Sequence, residues 1–146
     1  MFSKACKYAI KALIYIASRS GDGSRISLRD IAAQIDSPEH FTAKIMQILS
    51  KQGIVSSIKG PNGGFYLETN APAIPLFDVV RAIDGVQHLT GCGLGLKNCS
   101  EDQPCPIHRE FSEVRNRLLN MLHQSTIQQL AGELTAGQTV LKHIVV

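Results

Sequence analysis

Tryptophan is absent from this 146-residue chain, which holds only five phenylalanines and three tyrosines. A core must therefore be filled by Ile, Leu, Val and Ala, side chains that suit packed helices. No apolar run approaches the ~18 residues of a membrane span. The segment "MFSKACKYAIKALIYIASRS" comes nearest, but Lys4, Lys7 and Lys11 break it at helical spacing. It lacks the unbroken apolar region and small-residue cleavage site of a secretory signal, so the expectation is a cytoplasmic protein without a membrane partner. Internal repeats and low-complexity tracts are missing too. Cysteine is scarce, with four in all, yet three of them fall between Thr90 and His108. In a reducing compartment such a group points to metal binding or redox chemistry rather than a disulfide framework, which an odd number also fits poorly.

What is present is ordinary for a globular chain: 44% hydrophobic and 18% charged residues, enough for one domain or a small domain with an extension. The net charge of +3 is unevenly spread. Through Glu68 there are nine Lys/Arg against five Asp/Glu, and beyond it six against seven. The basic excess thus sits in the N-terminal half, which suggests a polyanion partner there.

Periodicity predicts a mainly α fold with a small β-hairpin wing. Residues 2–19 form a first helix with Phe2, Cys6, Ile10, Leu13, Ile14 and Ala17 inward. "GDGSR" ends it. Ser27 caps a short helix "LRDIAAQI", and Pro38 opens a third, "EHFTAKIMQILSKQ", closed by Gly53. Two short helices joined by a tight turn make a helix-turn-helix. "IVSSIKG" and "GFYLETN", split by "GPNGG", read as the hairpin. A winged helix-turn-helix over residues 1–70 is the result. A connecting helix within residues 71–90 runs from Leu76 to Ile83, and the cysteine loop occupies residues 91–108. Residues 109–134 supply a dimerisation helix and a short last helix capped by Ser125, and residues 135–146 a loosely ordered tail. The dimerisation seam is Phe111, Val114, Leu118 and Met121, backed by Leu122.

On the third helix Phe41, Ile45, Ile48 and Leu49 form the inward stripe. His40, Lys44, Gln47 and Lys51 share another, within about one sixth of a turn. Glu39, His40, Ala43 and Lys44 lie nearest the end at which recognition helices meet base edges. Ser27, Arg29 and Lys51 suit phosphate contacts. At the wing tip Lys59, Asn62 and Gly63 approach the duplex, where glycines allow close backbone contact.

Cys92, Cys99 and Cys105 follow C-x6-C-x5-C, with His108 three residues on. Thiolate and imidazole suit zinc and iron–sulphur clusters alike. Zinc sites favour close C-x2-C pairs, whereas wide gaps suit a larger object. A structural zinc site, an iron–sulphur carrier or electron-transfer protein, and a Cys–His enzyme are the alternatives to a sensing cluster. The enzyme is the weakest of them, because no orienting third residue is evident. Cys6 is read as a core residue rather than a ligand, and His88, His123 and His143 as structural or exposed.

"KYAIKALIYIA", "IVSSIKGPNGGFYL" and "CGLGLKNCSEDQPCPIH" together resemble the winged-helix iron–sulphur regulators that include IscR and NsrR, from Phe2 to about Leu134. The resemblance implies a homodimeric bacterial transcription factor, not an enzyme, with one cluster per subunit on Cys92, Cys99 and Cys105. His108 stands where IscR-like members have their fourth ligand, implying a [2Fe–2S] centre. The NsrR-like aspartate position holds Tyr8. A recognition-helix glutamate of IscR-like members is replaced by Ala43 and a wing arginine by Lys59, so the DNA target does not carry over.

Overall fold

The computed structural model describes residues 1–20 and 23–142. The turn at Gly21 and Asp22 and the end of the tail, His143 included, lie outside the described residues.

Seven helices and one hairpin are found among them: α1 Lys4–Arg19, α2 Leu28–Gln34, α3 Glu39–Lys51, β1 Ser56–Ile58, β2 Gly64–Tyr66, α4 Leu76–Asp84, α5 Gln87–Thr90, α6 His108–Gln124 and α7 Ile127–Thr135. α1 is the central helix and packs against α2, α3, α4 and α7. It buries Cys6, Ala9, Ala12, Leu13, Ile14 and Ile16, so its core stripe is rotated from the expected one. Phe2, Ile10 and Ala17 lie at the edge of the core. Small alanines at 9 and 12 let neighbouring helices come close, and a pattern that rewards only large side chains overlooks them.

Ser27 caps α2 as expected, its hydroxyl accepting from the Asp30 amide at 3.2 Å. Pro38 stands at the N-cap of α3 rather than inside its first turn, and its carbonyl accepts from the Thr42 hydroxyl at 2.9 Å. That bond satisfies Thr42 inside the core. The inward face of α3 is accordingly Thr42, Ile45, Met46 and Leu49. Ile48, expected inside, is 40% exposed. Gly53 adopts φ +73° just past the helix end, the left-handed conformation that stops it.

The strands are shorter than the apolar runs suggested. Ser56 pairs with Tyr66, Ser57 with Phe65 and Ile58 with Gly64, antiparallel. Ile26 extends this ladder by exchanging both backbone bonds with Phe65 at 2.9 Å, so the wing is stitched to the residue before the α2 cap.

The C-terminal helices belong to the same core. The Leu76 amide donates to the Ser125 carbonyl at 2.9 Å, and the Ile127 amide to Ile74 at 2.8 Å. Ile127 and Ala131 of α7 are buried. Ser125 ends α6 instead of capping α7; that role falls to Thr126, whose hydroxyl accepts from the Gln129 amide. Residues 136–140 are exposed, while Leu141 packs on the core and the Lys142 ammonium lies 3.1 Å from the Asp36 carboxylate. No described helix is long and apolar enough to cross a membrane.

Candidate nucleic-acid interface and metal centre

The start of α2, the outer face of α3 and the wing enclose an open groove of about 610 Å³. Ser27, Arg29, Glu39, Ala43, Gln47, Lys59 and Gly63 all line it. Seven of the eleven residues singled out for DNA contact thus converge on one concave surface. His40, Lys44, Lys51 and Asn62 are exposed but lie outside its lining. The groove also takes in Ser50 and Ser57, which helical periodicity had not marked.

Close backbone packing shapes the wing. A Cβ at Gly63 would lie 2.1 Å from the Ile58 carbonyl oxygen, and one at Gly64 2.6 Å from that of Ile26. Both glycines are therefore required by the turn and by the Ile26–Phe65 pairing. Gly60 takes φ +113°, which L side chains rarely adopt.

The cysteine loop leaves α5 and ends at α6. Its three thiols lie within 4.8 Å of one another. Cys92 Sγ is 3.7 Å from Cys105 Sγ, and Cys99 Sγ is 3.1 Å from His108 Nδ1. Backbone amides turn toward this sulphur: Leu94 N–H donates to Cys92 Sγ and Cys105 N–H to Cys99 Sγ, each at 3.4 Å. Hydrogen bonds from the Leu96 and Leu94 backbone hold the Cys92 thiol down at about 7, against opposing desolvation. Burial pushes the Cys105 thiol up. A cradle that stabilises thiolate at one position and withdraws another from water suits metal ligation.

Further contacts fix this loop to α6. Arg115 donates to the Gly91 carbonyl at 2.9 Å. A Cβ at Gly93 would lie 2.9 Å from the Phe111 ring, so only glycine allows the loop to rest there. Phe111, expected on the dimerisation seam, is thus half-covered by its own chain. Leu118 is also half-buried, and Leu122 is fully buried in the core. Val114 and Met121 remain 60% and 43% exposed.

Cys6 is fully buried and takes no part in the sulphur cluster. Desolvation, with the Asp84 carboxylate beside it, pushes its thiol up to about 12. His123 stacks on Phe77 with ring centroids 4.1 Å apart, and His88 is exposed. Tyr8 meets Phe41 of α3 edge-on at 5.7 Å.

Comparison with known proteins agrees with this geometry. IscR of Escherichia coli is 30% identical over 135 residues, covering 92% of this chain and 80% of its own. A protein of Aquifex aeolicus, named as a candidate HTH-type transcriptional regulator, is 33% identical over 132 residues, 89% of this chain and 90% of that one. Among solved structures, CymR, described as the global cysteine regulator of B. subtilis, superposes with a TM-score of 0.71 at 26% identity, covering 90% of this chain and 96% of its own. IscR of T. potens has the same fold, with a TM-score of 0.72 at 20% identity over 96% and 92% of the two chains. These relatives are named as regulators, not enzymes. The family model for Rrf2, iron-dependent transcriptional regulators, matches residues 2–133, and the chain belongs to that family of winged-helix regulators.

Proposed function

We propose that this regulator acts as a homodimer whose operator affinity follows the state of an iron–sulphur cluster, [2Fe–2S], on Cys92, Cys99, Cys105 and His108. The convergence of three thiols and an imidazole in one pinned loop carries the reading. The donor set fits the group: soft sulphur, one nitrogen, and amides directed at sulphur. When bound, such a cluster supplies a centre sensitive to oxidants, nitric oxide and iron supply. The chain's own residues provide the link to DNA. Arg115 and Phe111 fasten the loop to α6, α6 packs on α4, and α4 packs on α3. A shift of the loop therefore bears on the recognition helix through packed elements, and Val114 and Met121 offer the face for a second copy. In a dimer, half-sites one helical turn apart (roughly 34–36 Å) make affinity sensitive to a small change in helix placement. Coupling of ~1–3 kcal/mol gives about 5–150-fold in affinity.

In and around the groove, Glu39, His40, Ala43, Lys44 and Gln47 serve base edges, Ser27, Arg29 and Lys51 serve phosphate, and Lys59, Asn62 and Gly63 form the wing contact, with His40, Lys44, Lys51 and Asn62 beyond the lining itself. Structural zinc is the second reading. The 3.7 Å sulphur pair favours it equally, since two thiolates on one tetrahedral ion stand at this spacing. Iron, zinc and acid-labile sulphide measured on anaerobically purified protein separate the two. About two irons and two sulphides per chain support the cluster, and one zinc without sulphide supports the structural ion. Duplex affinity unchanged by Cys→Ala substitution at 92, 99 and 105 in every redox state would sink the sensing idea.

A further inference from the structure

α1 carries a basic stripe that neither the helix-turn-helix nor the wing accounts for. At 100° per residue, Lys4, Lys7, Tyr8 and Lys11 fall within an arc of about 100°. The Lys4 and Lys11 ammoniums stand 5.9 and 5.7 Å from the centroid of one ring, that of Tyr8. Tyr8 in turn packs edge-on against Phe41, in the first turn of α3. Two cations are thus gathered beside the end of the recognition helix that meets bases, with Lys7 exposed on the same face.

No ion pair among the described residues involves these lysines. The first turn of α1 holds no acidic residue. Lys4 and Lys7 therefore add to the positive end of the helix dipole, a placement that disfavours an isolated helix and favours an anion. Asp84 is the neighbouring carboxylate, and it is engaged with the Ser3 amide and hydroxyl. The ring quadrupole of Tyr8 offsets part of the repulsion between the ammoniums. The stripe thus lies beside the first turn of α3.

We infer that Lys4, Lys7 and Lys11 form a phosphate clamp for the DNA strand flanking the groove entered by α3, with Tyr8 holding two of the three in place. This rests on the DNA-binding reading and adds a contact from outside the helix-turn-helix. Each such contact releases counterions and contributes to salt dependence without reading sequence.

The test uses the full chain and a duplex selected by the wild-type protein from a random pool, beside an unselected duplex. Affinity is measured over a salt series for wild type, K4Q/K7Q/K11Q and K4R/K7R/K11R. The glutamine variant is expected to flatten the slope of log affinity against log salt by about 2.7, roughly 0.9 per phosphate contact. Between ~50 and ~200 mM salt its deficit against wild type then shrinks by about 40-fold, equally on both duplexes. The arginine variant keeps the wild-type slope. If the triple glutamine variant loses helicity, Lys7→Gln alone carries the test, with an expected change of about 0.9. An unchanged slope overturns the clamp. So does an unchanged slope with lost binding to phosphatidylserine vesicles, which would assign the stripe to a membrane surface. Wild-type protein without salt-dependent duplex binding would instead overturn the DNA reading beneath it.

Discussion

Helix α6 buries Leu122 in its own chain and exposes Val114 and Met121, the face proposed for a second copy, and Leu122→Ala tests that division. Leu122 is fully buried within its own chain, in the same core as Ile127 and Val79. The substitution removes three carbons at ~0.8 kcal/mol each, about 2.4 kcal/mol of transfer free energy. Incomplete collapse of the cavity raises the total to about 3–4 kcal/mol. At this chain length ~1 kcal/mol shifts the melting midpoint by roughly 2–4 °C, so the variant should melt about 10 °C lower. Urea unfolding followed by circular dichroism, at two protein concentrations tenfold apart, is the assay. The loss from Leu122→Ala should be the same at both concentrations, because it lies within one chain. Val114→Ala and Met121→Ala remove exposed side chains and should leave the protomer's stability within about 0.5 kcal/mol. In the proposed dimer their effect belongs in the association equilibrium, read by sedimentation. If Leu122→Ala dissociated the protein with no stability loss in the protomer, this division of α6 would be refuted.

Gly63→Ala forces a Cβ against the Ile58 carbonyl; duplex affinity should drop by about tenfold or more with helical content unchanged, as titration beside circular dichroism shows. In metal-free protein near neutral pH, iodoacetamide should modify Cys92 before Cys105, and Cys6 only on unfolding, an order that peptide mass mapping reads directly. The folded Cys6 thiol is raised from 9.0 to about 12, so its contribution to stability is complete below 9 and lost as pH climbs toward 12. Urea midpoints taken through that range should fall more steeply for wild type than for Cys6→Ala. Asp84→Asn weakens the cap on α1 by removing the charge that receives the Ser3 amide and hydroxyl; a loss of about 1 kcal/mol in urea unfolding is expected.

The elements were legible in the sequence where one signal dominated. α6 runs from His108 to Gln124 and so starts one residue before the expected 109; "CP" before it and Ser125 after it punctuate a long periodic run. The three loop thiols were legible by composition alone, and they do converge. Which arc of a helix faces inward was harder to read. Thr42 looks polar until its hydroxyl finds the Pro38 carbonyl, and Ala9 and Ala12 look weak until neighbouring helices close on them. Partners distant in sequence were invisible to any local pattern: Ile26 with Phe65, Gly93 with Phe111 and Lys142 with Asp36. A half-covered Phe111 and a buried Leu122 follow from such partners, since a heptad records that a face is apolar but not what covers it.

The pairing of Ile26 with Phe65 bears on how DNA preference can change in this protein. Ile26 hydrogen-bonds the wing through its backbone, and the next residue, Ser27, caps α2. The α2 cap and the hairpin therefore meet at adjacent residues, and re-aiming one bears on the other. Widening the angle between wing and helix would break two backbone bonds and a cap together. On the proposed DNA contacts, side-chain exchange at groove positions such as Ala43 and Lys59 is then the accessible route to a new target sequence. In the proposed dimer, a new spacing between half-sites would come from α6 and its exposed Val114 and Met121.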